Sequence, residues 1–392
     1  MPNEVTAGPA IPLVAWADRQ LQALADLSGA AAFSWLSGAT VLGERAALNG
    51  FRIPGRVSAG GGCRLYDAIG GTIALALPRA DDRALLPALF ADASLDPADA
   101  AAIARAIAGC EAGAVVQRGS VLGLAIAAVD EAPVSPACVV TAESPPKAPS
   151  SVAPLVVDLS ALWAGPLAAH LLGLAGARVV KVESRNRPDA MRSGDPALFG
   201  RLNRGKASAV VDLREIEDRA ALLALLGRAD VVIEAARPRA LLQLGIDADA
   251  IVAATPGLVW ITITGHGSVG DAANRIGFGD DCAVAGGLSA ALRRAAGRAG
   301  FVGDAIADPL AGLYAARTAL ARGRRGGRLI LAMSAIVADA LAEERARDAS
   351  ALERVLRCWA DSIGQPFAPV AVRPGGRVAA FGADSAAWLG RC

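Results

Sequence analysis

The stretch LVVDLSALWAGPLAAHLLGLAGARVVKVE, residues 155–183, decides the fold. LVVDL (155–159) is a short apolar run, as expected of a strand buried on both faces of a parallel sheet. Gly165 and Pro166 turn the chain, 167–174 reads as a helix, and Gly176 closes it. VVKVE (179–183) supplies the next strand. The pattern continues outward with SAVVDL (208–213), a helix over 218–227, DVVIE (230–234) and LVWITIT (258–264). Strands alternating with helices predict an α/β fold with a doubly wound, Rossmann-like parallel sheet.

Upstream lies APVSPACVVTAESPPKAPSSVAP, residues 132–154, whose repeated Pro and Ser predict an extended, mobile linker. It divides the chain into a small α+β domain (1–131) and a large domain (155–392). In the first piece, 16–27 and 30–48 carry helix signals. RLYDAIGGTIALAL (64–77) reads as two strands around a turn at 69–71. A helix is predicted over 81–90, and another over 97–110 with Asp96 as its N-cap and Pro97 at its first position.

Composition narrows the function classes. The chain has 392 residues, 54% of them hydrophobic, which excludes global disorder. The most apolar candidate for a span, 29–43, is broken by Ser34, Ser37, Gly38 and Thr40, so no membrane segment is expected. A net charge of +1 gives no electrostatic footprint for nucleic acid. The first residues lack a basic stretch followed by an apolar one, and six cysteines are scattered without CxxC spacing. Both features fit reduced thiols and a cytoplasmic location. Two histidines do not make a metal cluster. The chemistry must rest on carboxylates, backbone amides or cysteines. Glu183, ending the second strand, invites an NAD reading, but the turn before the helix lacks GxGxxG, which counts against it.

Several pieces in one order resemble the family III CoA-transferases. They are VVDLSALWAGPLAAHLLGLAGARVVKVE (156–183), NRGKASAVVDL (203–213), ADVVIEAARPRALLQLGI (229–246), LVWITITGHG (258–267), RIGFGDDCAVAGGL (275–288), IADPLAGLYAA (306–316) and GRLILAMS (327–334). LGERAALNGF, the glycine stretch and YDAIGGTIALALP resemble the same family's small domain, which here precedes the large one in a permuted order. The tail GADSAAWLGRC resembles the family's C-terminal helix. The resemblance implies acyl-CoA and carboxylic acid substrates, coenzyme A as substrate rather than as a covalently bound cofactor, and an interlocked homodimer.

The resemblance places the catalytic carboxylate at Asp308, in a D-x-x-x-G pattern with Gly312. The residues alone also allow a helix N-cap, since Asp before Pro309 is a favourable Ncap–N1 pair. NRGK offers Asn203, Arg204 and Lys206 to the phosphates of CoA, with Gly205 permitting close approach. A charged loop is the plainer reading. Arg237 in ARPRA matches an arginine that lies along CoA in the family, although Ala236 replaces the usual aromatic. Lys181, one of three lysines, is a candidate second phosphate contact or a solvated strand end. His266 ends a predicted strand in a glycine loop and is a candidate ligand contact. Gly60, Gly61 and Gly62 are a candidate mobile loop over an acyl intermediate, or an ordinary surface loop. Phe278 and Gly279 stand where racemases of the family carry a His–Asp pair. A racemase therefore lacks its base and is the disfavoured alternative, beside a non-catalytic CoA-binding subunit.

Overall fold

A computed structural model describes residues 8–148, 151–236 and 238–390. Ten strands form two sheets. They are β1 Cys63–Ala68, β2 Gly71–Ala76, β3 Ala125–Ala128, β4 Cys138–Ala142, β5 Leu155–Asp158, β6 Arg178–Ser184, β7 Ala207–Val211, β8 Val231–Glu234, β9 Val259–Thr264 and β10 Gly327–Ala332. The large sheet runs β4-β10-β9-β8-β5-β6-β7. All its neighbours are parallel except β4, which pairs antiparallel with β10. The mixed α/β architecture with a large parallel sheet and a smaller antiparallel one is that expected.

From β5 the chain winds outward through β6 and β7, then returns to β8 on the other side of β5. The gap beyond the carboxyl ends of β5 and β8 is thus the topological switch point, where open α/β sheets receive ligands. Every residue of β5 and β8 is buried, and each reads as three apolar residues closed by an acid, Asp158 and Glu234.

The stretch read as a mobile linker is pinned to this sheet. β4 lies in its middle, and the Lys147 ammonium pairs with Asp230 at 2.5 Å. The Lys147 N–H donates to the Arg324 carbonyl, and Gly257 donates to the Pro145 carbonyl. The physical reason is the edge of β10, whose unpaired backbone groups recruit any extended neighbour.

The small sheet is antiparallel, in the order β1-β2-β3. Its hairpin turns at Ile69 and Gly70, with Ala68 facing Gly71 and Gly70 at φ 79°. That positive φ suits glycine. One face packs on helices Ala100–Ala108 and Ala112–Leu122. The other packs on Val284, Ala285 and Phe301 of the large unit. The segment expected as one helix over 81–90 is two short helices, Ala80–Ala84 and Leu86–Phe90. Asp99, rather than Asp96, caps the following helix, accepting from the Ala101 and Ala102 N–H groups. Helices Val14–Ser28 and Gly38–Asn49 precede the small sheet in sequence, yet their apolar residues share the core of the large sheet.

Candidate active site

Four pieces of chain converge near the switch point. Helix Ala164–Leu174 follows β5 directly, and its first residue offers a backbone N–H. Helix Gly279–Ala285 offers another at Gly279. Helix Ala307–Arg322 places Asp308 in its first turn, two residues beyond the N-cap it was expected to fill, because Ile306 occupies that position. Helix Gly38–Asn49 supplies Arg45 from the N-terminal segment.

Asp308 is half-buried. Burial pushes its carboxyl up to about 7, the neighbouring Asp280 adds to this, and Arg45 with the amides of Ala164 and Gly279 opposes it. Those amides belong to the starts of two helices, whose dipoles favour an anion. The approach is close. A Cβ added to Gly279 would stand 2.3 Å from an Asp308 carboxylate oxygen and 2.3 Å from the Ala305 carbonyl. Leu162 and Ala305, next to these turns, hold positive φ of 67° and 43° without being glycine. Such backbone persists only where surrounding structure enforces it.

Around Asp308 the carboxylates crowd. Asp304 is fully buried, and burial raises it to about 7 despite Arg45. The Arg45 Nη1 donates to Asp304 Oδ1 at 2.7 Å, and its Nε stands 3.6 Å from Asp195. Its guanidinium also faces the Trp163 ring at 5.5 Å and the Phe51 ring at 5.4 Å. Asp280 accepts from the Ala305 N–H at 3.1 Å, and burial raises its carboxyl too. Asp281 is buried, accepts from the Phe278 N–H at 2.9 Å, and is pushed up to about 8 by burial. At Asp304 and Asp308 burial outweighs the single Arg45 cation, which raises both carboxyls to about 7.

The glycine stretch belongs to this site. Gly61 donates to the Ser58 carbonyl at 2.8 Å in a tight turn, with φ 76° at Gly61. A Cβ on Gly60 would lie 3.1 Å from the Arg45 guanidinium, and the Ser58 side chain hydrogen-bonds Asp280. Gly62 leads directly into β1.

Other candidates lie elsewhere. Lys206 is buried, and its ammonium donates to Asp158 at 2.7 Å, the Pro166 carbonyl at 2.9 Å and Asn203 Oδ1 at 3.0 Å. All three of its donors are used. Asn203 in turn donates to the Phe199 carbonyl. Lys181 is buried as well, bonded to the Ser160 carbonyl at 2.8 Å and paired with Asp189 at 3.0 Å. It is not a solvated strand end. Both lysines tie the loop after β5 to the sheet. Arg204 lines an open cleft beside them. Arg237 lies outside the described residues. His266 is buried, held neutral with its pKa down at about 3 by burial and Arg275, and its Nε2 stands 3.9 Å from Asp281. His266, Asp281 and Cys282 present ligand atoms within 4.8 Å of one another. Burial leaves the acid and the thiol protonated, which opposes a cation there.

Arg45 is the site residue that sequence reasoning missed. A signal was present: LGERAALNGF puts Glu44 and Arg45 side by side in a helix that is otherwise largely apolar. Glu44 is fully buried with Arg373, so the pair is structural on one face and faces the site on the other.

Residues 154–328 match the model of CoA-transferase family III. Succinyl-CoA–D-citramalate CoA-transferase of Chloroflexus aurantiacus is 35% identical over 172 residues, covering 42% of this chain and 43% of that protein. Succinate–glutarate CoA-transferase of Agrobacterium fabrum is 33% identical over 190 residues, covering 44% and 47%. A crystal structure of the hypothetical protein Rv3272 from Mycobacterium tuberculosis aligns at a TM-score of 0.45 with 29% identity, over 51% of this chain and 58% of that one. The chain spans under half the length of these two curated relatives.

Proposed function

We propose that the chain is an acyl-CoA:carboxylate CoA-transferase in which Asp308 is the nucleophile. The observation that carries this reading is the Asp308 carboxylate itself, half-buried at the switch point and stabilised by two helix-start amides and one arginine. An Asp308 oxygen attacks the thioester carbonyl carbon, the C–S bond breaks, and CoA leaves as thiolate. The thiolate then attacks the aspartyl carbonyl of the resulting anhydride, expelling the donor acid and leaving an enzyme–CoA thioester. An acceptor carboxylate attacks that thioester and releases CoA thiolate again. The thiolate finally takes the acyl group from the new anhydride, and Asp308 is restored.

The amides of Ala164 and Gly279 stabilise negative charge on the reacting oxygens, as oxyanion donors do. The glycine turn at 60–62 gives Arg45 a close cover without a side chain, which suits exclusion of water from a hydrolysable anhydride. The names of the two relatives make succinyl-CoA a rational first donor, with small dicarboxylates as acceptors. The homodimer implied by the resemblance belongs to the same proposal, and sedimentation at micromolar concentration tests it. No helix among the described residues is long and apolar enough to cross a membrane.

The test is CoA transfer between succinyl-CoA and a panel of mono- and dicarboxylates, with wild type and Asp308→Asn. Transfer by the wild type that falls about a thousandfold or more in the variant is expected. Equal rates in both would refute the assignment. α-Proton exchange without transfer would instead favour isomerisation.

A further inference from the structure

An open cleft of about 400 Å³ follows helix Ala164–Leu174 on the side away from Asp308. It begins at Lys206, whose ammonium holds the Pro166 carbonyl in the helix's first turn, and extends past the helix end to Ala177. Its charge is one-sided. Arg204, Arg377, Lys206 and His170 line it, and no carboxylate does. The Lys206 charge is compensated by Asp158. The Arg204 and Arg377 side chains have no ion pair or hydrogen bond among the described residues. Two arginines therefore line one cavity with no counter-ion among the described residues. An arginine's planar fork of donors matches phosphate oxygens in pairs, which a lone ammonium does not.

Two further features point to a ligand. His170 is 5% exposed, it lines the cleft, and its Nε2 has no hydrogen-bond partner. A buried polar nitrogen left unpaired is costly, so a ligand atom or water at that point is favoured. Leu174, Ala177 and Val179 give the cleft an apolar wall beside its basic end. Gly205 and Gly376 open its rim, where side chains would narrow it. The volume falls within the range of small-molecule sites, about 300–1,000 Å³.

We infer that this cleft binds a nucleotide-sized phosphorylated ligand. Arg204 and Arg377 hold its phosphates, His170 reaches one polar atom, and the base or sugar rests on Leu174 and Val179. The inference stands apart from the proposed transfer chemistry, since none of these groups contacts Asp308. The same chemistry exists in a free nucleotide and in the nucleotide end of CoA, and the experiment separates them.

Calorimetric titrations of the full chain with ADP, pyrophosphate and adenosine test the site. ADP is expected to bind with a submillimolar dissociation constant, pyrophosphate more weakly, and adenosine at least about tenfold more weakly than ADP. The Arg204→Ala/Arg377→Ala double variant, whose arginines carry no internal ion pair, should keep the wild-type melting temperature and lose at least about tenfold in ADP affinity. No ADP or pyrophosphate binding at millimolar concentration overturns the inference. So does a folded double variant that binds ADP like wild type. In the positive case, ADP displaced by CoA assigns the cleft to the nucleotide end of CoA. ADP and CoA bound together assign it to a free nucleotide.

Discussion

Asp308 gives the proposed reaction a pH limb. Its carboxyl sits near 7, well above the ordinary carboxylate range, so it is protonated and non-nucleophilic below that value. We expect kcat/KM to rise with pH through a midpoint near 7. Arg45→Met removes the main charge that favours the carboxylate, so the midpoint should move to higher pH. A pH–rate profile of both proteins checks this, and an unmoved limb would separate Arg45 from the nucleophile. Asp281 makes a different prediction, for stability. Its folded value of about 8 lies above the unfolded value near 3.8. Between those values the unfolded chain releases the proton while the folded chain keeps it, so stability falls as pH rises from about 4 to about 8. Asp281→Asn preserves an acceptor for the Phe278 N–H and removes that dependence. Melting curves at pH 5 and pH 8 should show the variant gaining on wild type at the higher pH. A constant difference between the two would contradict the assignment.

At the scale of elements, the junction of helices Gly279–Ala285 and Ala307–Arg322 is the tightest part of the site. Gly279→Ala forces a Cβ into the Asp308 carboxylate and the Ala305 carbonyl, both at 2.3 Å. The Ala305 carbonyl is backbone and cannot rotate aside, so the helix start must shift. Overpacking of this kind costs about 1–3 kcal/mol. We expect a lower melting temperature and a loss of transfer out of proportion to it, measured at a temperature where the variant is folded. Elements also differ in how legible they were. β5, β6, β8 and β9 were readable because strands buried on both faces of a parallel sheet are dominated by Val, Ile and Leu, with charged residues such as Asp158 and Lys181 paired. β3 and helix Ala112–Leu122 were not, because AGAVVQRGSVLGLAIAA mixes glycine with β-branched residues and the helix starts without a side-chain N-cap. β4 was hidden in Pro- and Ser-rich sequence. An edge strand half open to solvent needs no apolar pattern, and its pairing with β10 is a tertiary fact.

For the whole molecule, the N-terminal segment closes on the far end of the chain. Glu44 and Arg373 are both fully buried and paired, which holds the irregular stretch after residue 364 against helix Gly38–Asn49. Arg373→Ala leaves Glu44 charged and alone in the core, at a cost of about 3–5 kcal/mol. The Glu44→Ala/Arg373→Ala double variant should recover part of that loss in denaturant titrations. Additive losses would contradict the pairing. This closure also explains why the candidate site was only partly legible. Asp308 and the glycine turn lie in recognisable patterns, whereas Arg45 reaches them only after residues 38–49 dock across the large sheet. The scarce lysines have a structural reason for their places. Lys181 and Lys206 stand at motif-like positions because buried carboxylates behind β5 need partners. The central claim remains that Asp308 takes up the acyl group and then CoA. The most direct measurement is hydroxylamine trapping during turnover with succinyl-CoA, followed by peptide mass spectrometry. The account predicts an aspartyl hydroxamate in the peptide containing Asp308, formed only when the acyl-CoA is present. Transfer with Asp308 unmodified, or with the hydroxamate on Asp280, Asp281 or Asp304, would contradict it.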